Sequence, residues 1–145
     1  IIRDSLALVG LDHLIDRRCD HLSGGERRRA VIARGLAQGA DLIMLDEPTN
    51  HLDVRHQLML LDTLRASGRT VVATIHDLGM AASHFDHVVV LADGGVLSAG
   101  PAREALSPSN VATAFHVVAH HVTTPDGSQE LVCTAPLPNP NREEN

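Results

Sequence analysis

The 145 residues fit about one domain at the usual ~100–200 residues each, and an apolar content of 43% supplies a core rather than a disordered chain. Twelve basic residues against 18 acidic leave a formal charge of −6, and Phe85 and Phe115 are the only aromatics, which argues against bulk binding to nucleic acid or anionic membrane and against a base-stacking platform. All 12 basic residues are arginine, so Schiff-base chemistry and a loop lysine on nucleotide phosphates are excluded for this chain by itself.

The chain opens on Ile1 rather than Met, where Ile2, Leu6 and Val9 already recur at helical spacing, and it reads as a piece whose N-terminal part is missing. Residues 1–21 form short helical segments broken at Gly10. From Ser23 a helix is predicted to about Gln38, with Ser23 as its cap, Glu26 completing a capping box and Gly39 as its stop. Leu42–Leu45 is a short continuous apolar run, predicted as a strand buried on both faces, and it ends in Asp46-Glu47-Pro48. A helix over Val54–Ala66 stops at Ser67-Gly68. Thr70–Ile75 reads as a second strand, Leu78–Ser83 as a short helix and Val88–Leu91 as a third strand. Asp93-Gly94-Gly95 then turns the chain into Val96–Ala99. This alternation predicts an α/β fold with a mostly parallel sheet and crossover helices. Short helices over Ala102–Leu106 and Ser109–Phe115 come next, then strand-like His116–Thr124 and Glu130–Thr134 around a Pro125-Asp126-Gly127 turn. No internal repeat is visible. Cys19 and Cys133 lie far apart without metal-like spacing and read as free thiols in a reducing compartment. No apolar run approaches the ~18 residues of a membrane span.

Three places carry chemistry. Leu22-Ser23-Gly24-Gly25-Glu26 opens a helix: two glycines allow close backbone approach, free N–H groups carry partial positive charge, and the serine hydroxyl adds a donor. Such a loop suits a phosphate, although an ordinary capping box accounts for the same five residues. At the end of the first strand, Asp46 can hold Mg²⁺ and Glu47 can polarise an attacking water, or the pair can simply cap the next helix. His76, just past the second strand, can donate to a phosphate oxygen or stand as a solvated loop residue. His84, His87, His116, His120 and His121 lack Cys or acid partners at ligand spacing, so no metal site is read from them.

Taken in order, Leu22–Glu26, Leu42–Glu47, Asn50-His51-Leu52-Asp53 and His76-Asp77 resemble the C-terminal half of an ABC-transporter ATPase domain, a P-loop NTPase fold, over about residues 1–124. The resemblance implies that Ser23, Gly24, Gly25 and Glu26 form the signature motif. It implies Walker B in Leu42–Glu47, with Asp46 as metal carboxylate and Glu47 as general base, the D-loop in Asn50–Asp53, with Asp53 near nucleotide, and the switch histidine in His76. Residues 1–21 would close the helical subdomain, 125–135 would form a terminal hairpin strand and 136–145 a disordered tail. Val54-Arg55-His56-Gln57 and Ile75-His76-Asp77-Leu78 look closest to the ATPases of iron-siderophore, haem and cobalamin importers.

The same resemblance implies an ATP- and Mg²⁺-dependent importer subunit, peripheral on the cytoplasmic face of the membrane. It would form a head-to-tail dimer with a second ATPase subunit and dock on a transmembrane permease, with no nucleic-acid partner. A soluble relative acting on ribosomes or DNA, or an inactive truncated remnant, are the alternatives. The chain departs from the family at Arg28, where Gln is usual, and at Gly35, where Ala is usual. It contains no Walker A loop, Q-loop or adenine-stacking aromatic, so by itself it is expected to be inactive.

Overall fold

Ser23 and Glu26 start the architecture. In a computed structural model, which describes residues 1–137, the Ser23 hydroxyl accepts from the Glu26 amide at 3.3 Å, and the Glu26 carboxylate accepts from the Ser23 amide at 2.7 Å. This reciprocal box launches α2 (Gly24–Ala37), which buries Ile32, Ala33 and Leu36 on one face. Before it come α1 (Ile2–Leu8) and two 3₁₀ turns, Asp12–Leu14 and Cys19–His21, with Gly10 at φ 69 between α1 and the first turn. After α2 come β1 (Leu42–Leu45), α3 (Val54–Ala66) and β2 (Thr70–Ala73).

β1 and β2 pair in parallel, Leu42 opposite Thr70 through Leu45 opposite Ala73, with α3 as the crossover. Val9, Leu11, Ile32, Leu36, Leu60 and Leu64 pack with Ile43 into the core of the first unit, Ile1–Ile75. Each such Leu or Ile removed from water contributes roughly 1.5–3 kcal/mol.

Within this chain one face of β1 is covered: Ile43 is 8% exposed, while Leu42 and Met44 are 51% and 75% exposed and Val72 of β2 is 51% exposed. The helices of the first unit pack on the Ile43 side of the pair.

The second unit, His76–Asn145, is built from α4 (Leu78–His84), β3 (His87–Ala92), β4 (Gly95–Pro101), α5 (Ala102–Ala105), α6 (Pro108–Phe115), β5 (Val117–Thr123) and β6 (Gln129–Pro136). β3 pairs antiparallel with β4, the hairpin that the Asp93-Gly94-Gly95 turn predicts. The two-residue turn explains this: Asp93 and Gly94 both sit at positive φ, 50 and 75, the geometry that matches hairpin twist. β5 and β6 form a second antiparallel hairpin. Ser107 caps α6 with Pro108 in its first turn, and Val111 and Leu106 are fully buried. Of the tail expected from residue 136, Pro136 closes β6 and the Leu137 amide donates to the His116 carbonyl at 2.7 Å; residues 138–145 lie outside the described residues.

Candidate functional site

The predicted residues of the first unit fall into two groups. Ser23, Gly25, Glu26 and Asp53 line one cleft of about 410 Å³, together with Gly10, His13, Arg29, His51, Leu52 and His56. Asp46 and Glu47 stand apart from that lining, at the C-terminal end of β1. His76 opens the second unit, three residues past the end of β2.

In the cleft, the capping box is present, so the ordinary reading of Ser23 and Glu26 holds as structure. It also leaves the Gly24 and Gly25 amides outside the box, at the positive end of a 14-residue helix. Neither glycine has a positive φ. A Cβ at Gly24 would meet nothing within 4 Å, and one at Gly25 would make only ordinary contact, 3.5 Å from Leu52. The fold itself therefore does not require glycine at either position. Glu26 is held below the usual glutamate range, first by the Ser23 backbone N–H and then by the Ser23 hydroxyl.

Asp53 begins α3. Its Oδ1 accepts from the His56 amide at 2.9 Å, and its Oδ2 lies 2.7 Å from His56 Nδ1. These bonds, the amide first, hold its carboxyl below the usual aspartate range. One oxygen thus caps α3 and the other meets the His56 imidazole, neither of which the motif reading of Asp53 anticipates. Conversely, the alternative in which Asp46 and Glu47 cap the next helix is not what the chain does, because Asp53 has that role.

The corner after β1 is unusual. Glu47 has φ 45, a left-handed conformation that costs a non-glycine residue about 1–3 kcal/mol and persists where surrounding bonds over-determine it. Those bonds are present. The Glu47 amide donates to Thr74 Oγ1 at 2.7 Å, and that hydroxyl donates to Asp46 Oδ1 at 2.7 Å. Arg28 Nη2 donates to the Asp46 carbonyl at 2.9 Å and to the Glu47 carbonyl. Asn50 donates its backbone N–H to the Glu47 carbonyl at 3.2 Å and its side-chain amide to Glu47 Oε2.

Sequence reasoning missed Thr74 altogether. Arg28 was visible only as a departure from a motif. The spacing of 18 to 28 residues between these partners leaves no local signal. The Arg27 guanidinium donates to the Leu22 carbonyl at 3.2 Å.

Asp46 is exposed at the strand end, and its one side-chain partner in the corner is a hydroxyl on Oδ1. A carboxylate accepts about four hydrogen bonds or metal contacts, so capacity remains for a hard cation. Among the described residues no group of three or more His, Cys, Asp or Glu could hold a metal. A lone carboxylate fits Mg²⁺, which takes one or two protein oxygens and fills its shell with phosphate and water. It does not fit a cation needing an all-protein cage.

The ABC transporter family matches residues 2–50. The cobalamin import ATP-binding protein BtuD of Halobacterium salinarum is 41% identical over 96% of this chain and 35% of its own length. The iron(3+)-hydroxamate import ATP-binding protein FhuC of Bacillus subtilis is 38% identical over 94% of this chain and 52% of its length. Among solved structures, an ABC transporter of the metal-chelate type in an inward-facing conformation superposes with a TM-score of 0.80 at 28% identity, over 92% of this chain and 55% of that one. The chain thus spans about a third to a half of the curated relatives it matches.

These likenesses give the chain the fold of ABC ATPases, within the P-loop NTPase class, and the parallel pair with its crossover helix accords with that fold. Within that class, the chain belongs to the ABC transporter ATP-binding family.

Proposed function

We propose that the chain is the signature and Walker B portion of an ATP-hydrolysing subunit that energises import of a metal chelate. The observation that carries this is the head of α2. Two glycines stand there without a conformational or packing need, and their amides lie outside the capping box at the head of a helix dipole, an arrangement that suits a phosphate from outside the fold.

In this reading Ser23, Gly24 and Gly25 donate to the terminal phosphate of ATP held by a second ATPase subunit in a head-to-tail dimer. Glu26 and Asp53 hold the loops that face it. Asp46 holds Mg²⁺, which when bound neutralises phosphate charge. Glu47 accepts a proton from the attacking water, with Asn50 fixing one of its carboxylate oxygens, and His76 donates to a phosphate oxygen. The separation of the Ser23–Asp53 cleft from the Asp46–Glu47 corner supports a nucleotide shared between subunits rather than one enclosed by this chain.

A lysine-bearing phosphate loop is then contributed by residues beyond this sequence, and the 145 residues alone do not turn over ATP. The relatives named for cobalamin and iron hydroxamate support a ferric siderophore or related chelate as cargo. A transmembrane permease as partner and a peripheral place on the cytoplasmic face complete this reading. Among the described residues no helix is long and apolar enough to cross a membrane.

The test is Glu47→Gln in the complete subunit. ATP binding persists and hydrolysis falls by about 10²–10³-fold, the usual loss of one positioned catalytic group. Hydrolysis within a few-fold of the parent removes Glu47 as the base.

A further inference from the structure

We propose that Arg28 and Thr74 are positioning residues that clamp the backbone of Glu47 from opposite sides and so aim its carboxylate. The proposal rests on the reading of Glu47 as general base but can be judged without it.

Thr74 lies just past β2. Its hydroxyl has one proton, given to Asp46 Oδ1 at 2.7 Å, while its oxygen receives the Glu47 N–H at 2.7 Å. One side chain therefore fixes the Asp46 carboxylate and the Glu47 amide together. Arg28 reaches the same corner from the second turn of α2, with Nη2 shared between the Asp46 carbonyl at 2.9 Å and the Glu47 carbonyl. Thr74 thus grips the peptide entering Glu47 through its N–H, and Arg28 grips the peptide leaving it through its C=O. With both peptide planes fixed, φ of Glu47 stays at 45 and its Cα–Cβ bond keeps one direction.

The two contacts also differ in what they join. Thr74 ties the two parallel strands at their ends. Arg28 ties the strand end to the helix whose head carries Ser23, Gly24 and Gly25. A displacement of α2 is therefore felt at the Glu47 carbonyl without any intervening loop. Gln, usual in the family at the Arg28 position, has a shorter side chain and no charge to strengthen bonds to the two carbonyls.

Four variants test this: Thr74→Val, which keeps shape but loses both bonds; Thr74→Ser, which keeps the hydroxyl; Arg28→Met, which keeps length without donors; and Arg28→Lys, which keeps charge. In the 145-residue chain, amide exchange and the N–Hα coupling of Glu47 are read by NMR. Thr74→Val and Arg28→Met should move the coupling away from its left-handed value. Thr74→Val should also speed Glu47 exchange by about tenfold, the scale of one lost hydrogen bond. Thr74→Ser should restore both.

In the complete subunit the same two disruptive variants should lower kcat by about 10–100-fold, as loss of an outer partner of a metal-site carboxylate does, with KM for ATP within about threefold. A variant that only loosens the fold would lower the amount of active protein and would not be rescued selectively by serine. Unchanged Glu47 exchange and coupling in Thr74→Val overturns the clamp. So does an altered Glu47 backbone with unchanged kcat, in a subunit where Glu47→Gln is inactive. If Glu47→Gln itself retains activity, the base assignment falls, and the NMR result alone decides whether the clamp exists.

Discussion

Ser23 has two roles in the structure and its proposed use, and they can be separated by Ser23→Asp and Ser23→Ala. As a cap, Ser23 accepts from the Glu26 amide at 3.3 Å, while the stronger half of the box, Glu26 accepting from the Ser23 amide at 2.7 Å, does not involve the hydroxyl. Ser23→Ala therefore removes only the longer bond, and its cost belongs to the lower part of the N-cap range, about 0.5–1 kcal/mol. At this chain length that shifts thermal unfolding by about 1–4 °C. Aspartate caps helices as well as serine does, so Ser23→Asp should unfold within about 1 °C of the parent.

On the phosphate the order reverses. Alanine loses one donor, whereas aspartate places a carboxylate where phosphate must come. Two unit charges about 4 Å apart at an effective dielectric constant near 20 repel by about 4 kcal/mol, or nearly three decades in affinity. The assay is ATP-dependent dimerisation of the complete subunit in the Glu47→Gln background, measured by analytical ultracentrifugation beside a melting curve. Ser23→Asp should melt normally and fail to dimerise; Ser23→Ala should melt early and dimerise weakly. A Ser23→Asp subunit that dimerises on ATP within a few-fold of the parent refutes the phosphate contact and leaves Ser23 as a cap alone.

The purified 145-residue chain should show no Mg²⁺-dependent ATP turnover, and turnover that Glu47→Gln abolishes would contradict the need for a lysine-bearing loop. Glu26 and Asp53 both have folded-state carboxyl pKa values below their ordinary ones, so their stabilisation is complete above the ordinary carboxylate range and is lost as pH falls through the lowered values. Denaturant melts between pH 7 and pH 3 should show this, and Asp53→Asn, which can still cap α3, should flatten the acid limb; an unchanged limb would show that Asp53 does not contribute. Leu64→Ala, deep in the core of the first unit, should cost about 2–5 kcal/mol, read from urea midpoints at constant slope.

What the sequence made legible was what neighbouring residues decide. The start of α2 is set by Ser23 and Glu26, which act three residues apart. α3 runs from Val54 to Ala66 as expected, because Asp53 and Ser67-Gly68 bracket a helical run of leucines. The Asp93-Gly94 hairpin is equally local. Which side of β1 the helices of the first unit pack on was not legible, because Leu42 and Met44 are as apolar as Ile43.

The candidate site divides along the same line. The four motifs are short words, and each contains its residues within six positions, so a linear reading finds them. The corner that gives Glu47 its shape is assembled across the chain. Thr74 is 28 positions from Asp46 and Arg28 is 19 from Glu47. A motif can therefore name a catalytic carboxylate without describing what orients it. In the sequence Thr74 reads as one more residue of the second strand, and Arg28 as a departure from a motif. Only the positive φ of Glu47 turns them into necessary partners, because a strained residue implies the contacts that hold it. The divergent position is the one that makes the difference. Where the family usually carries Gln, Arg28 places one nitrogen on two carbonyls, joining the helix proposed to receive phosphate to the acid proposed to activate water.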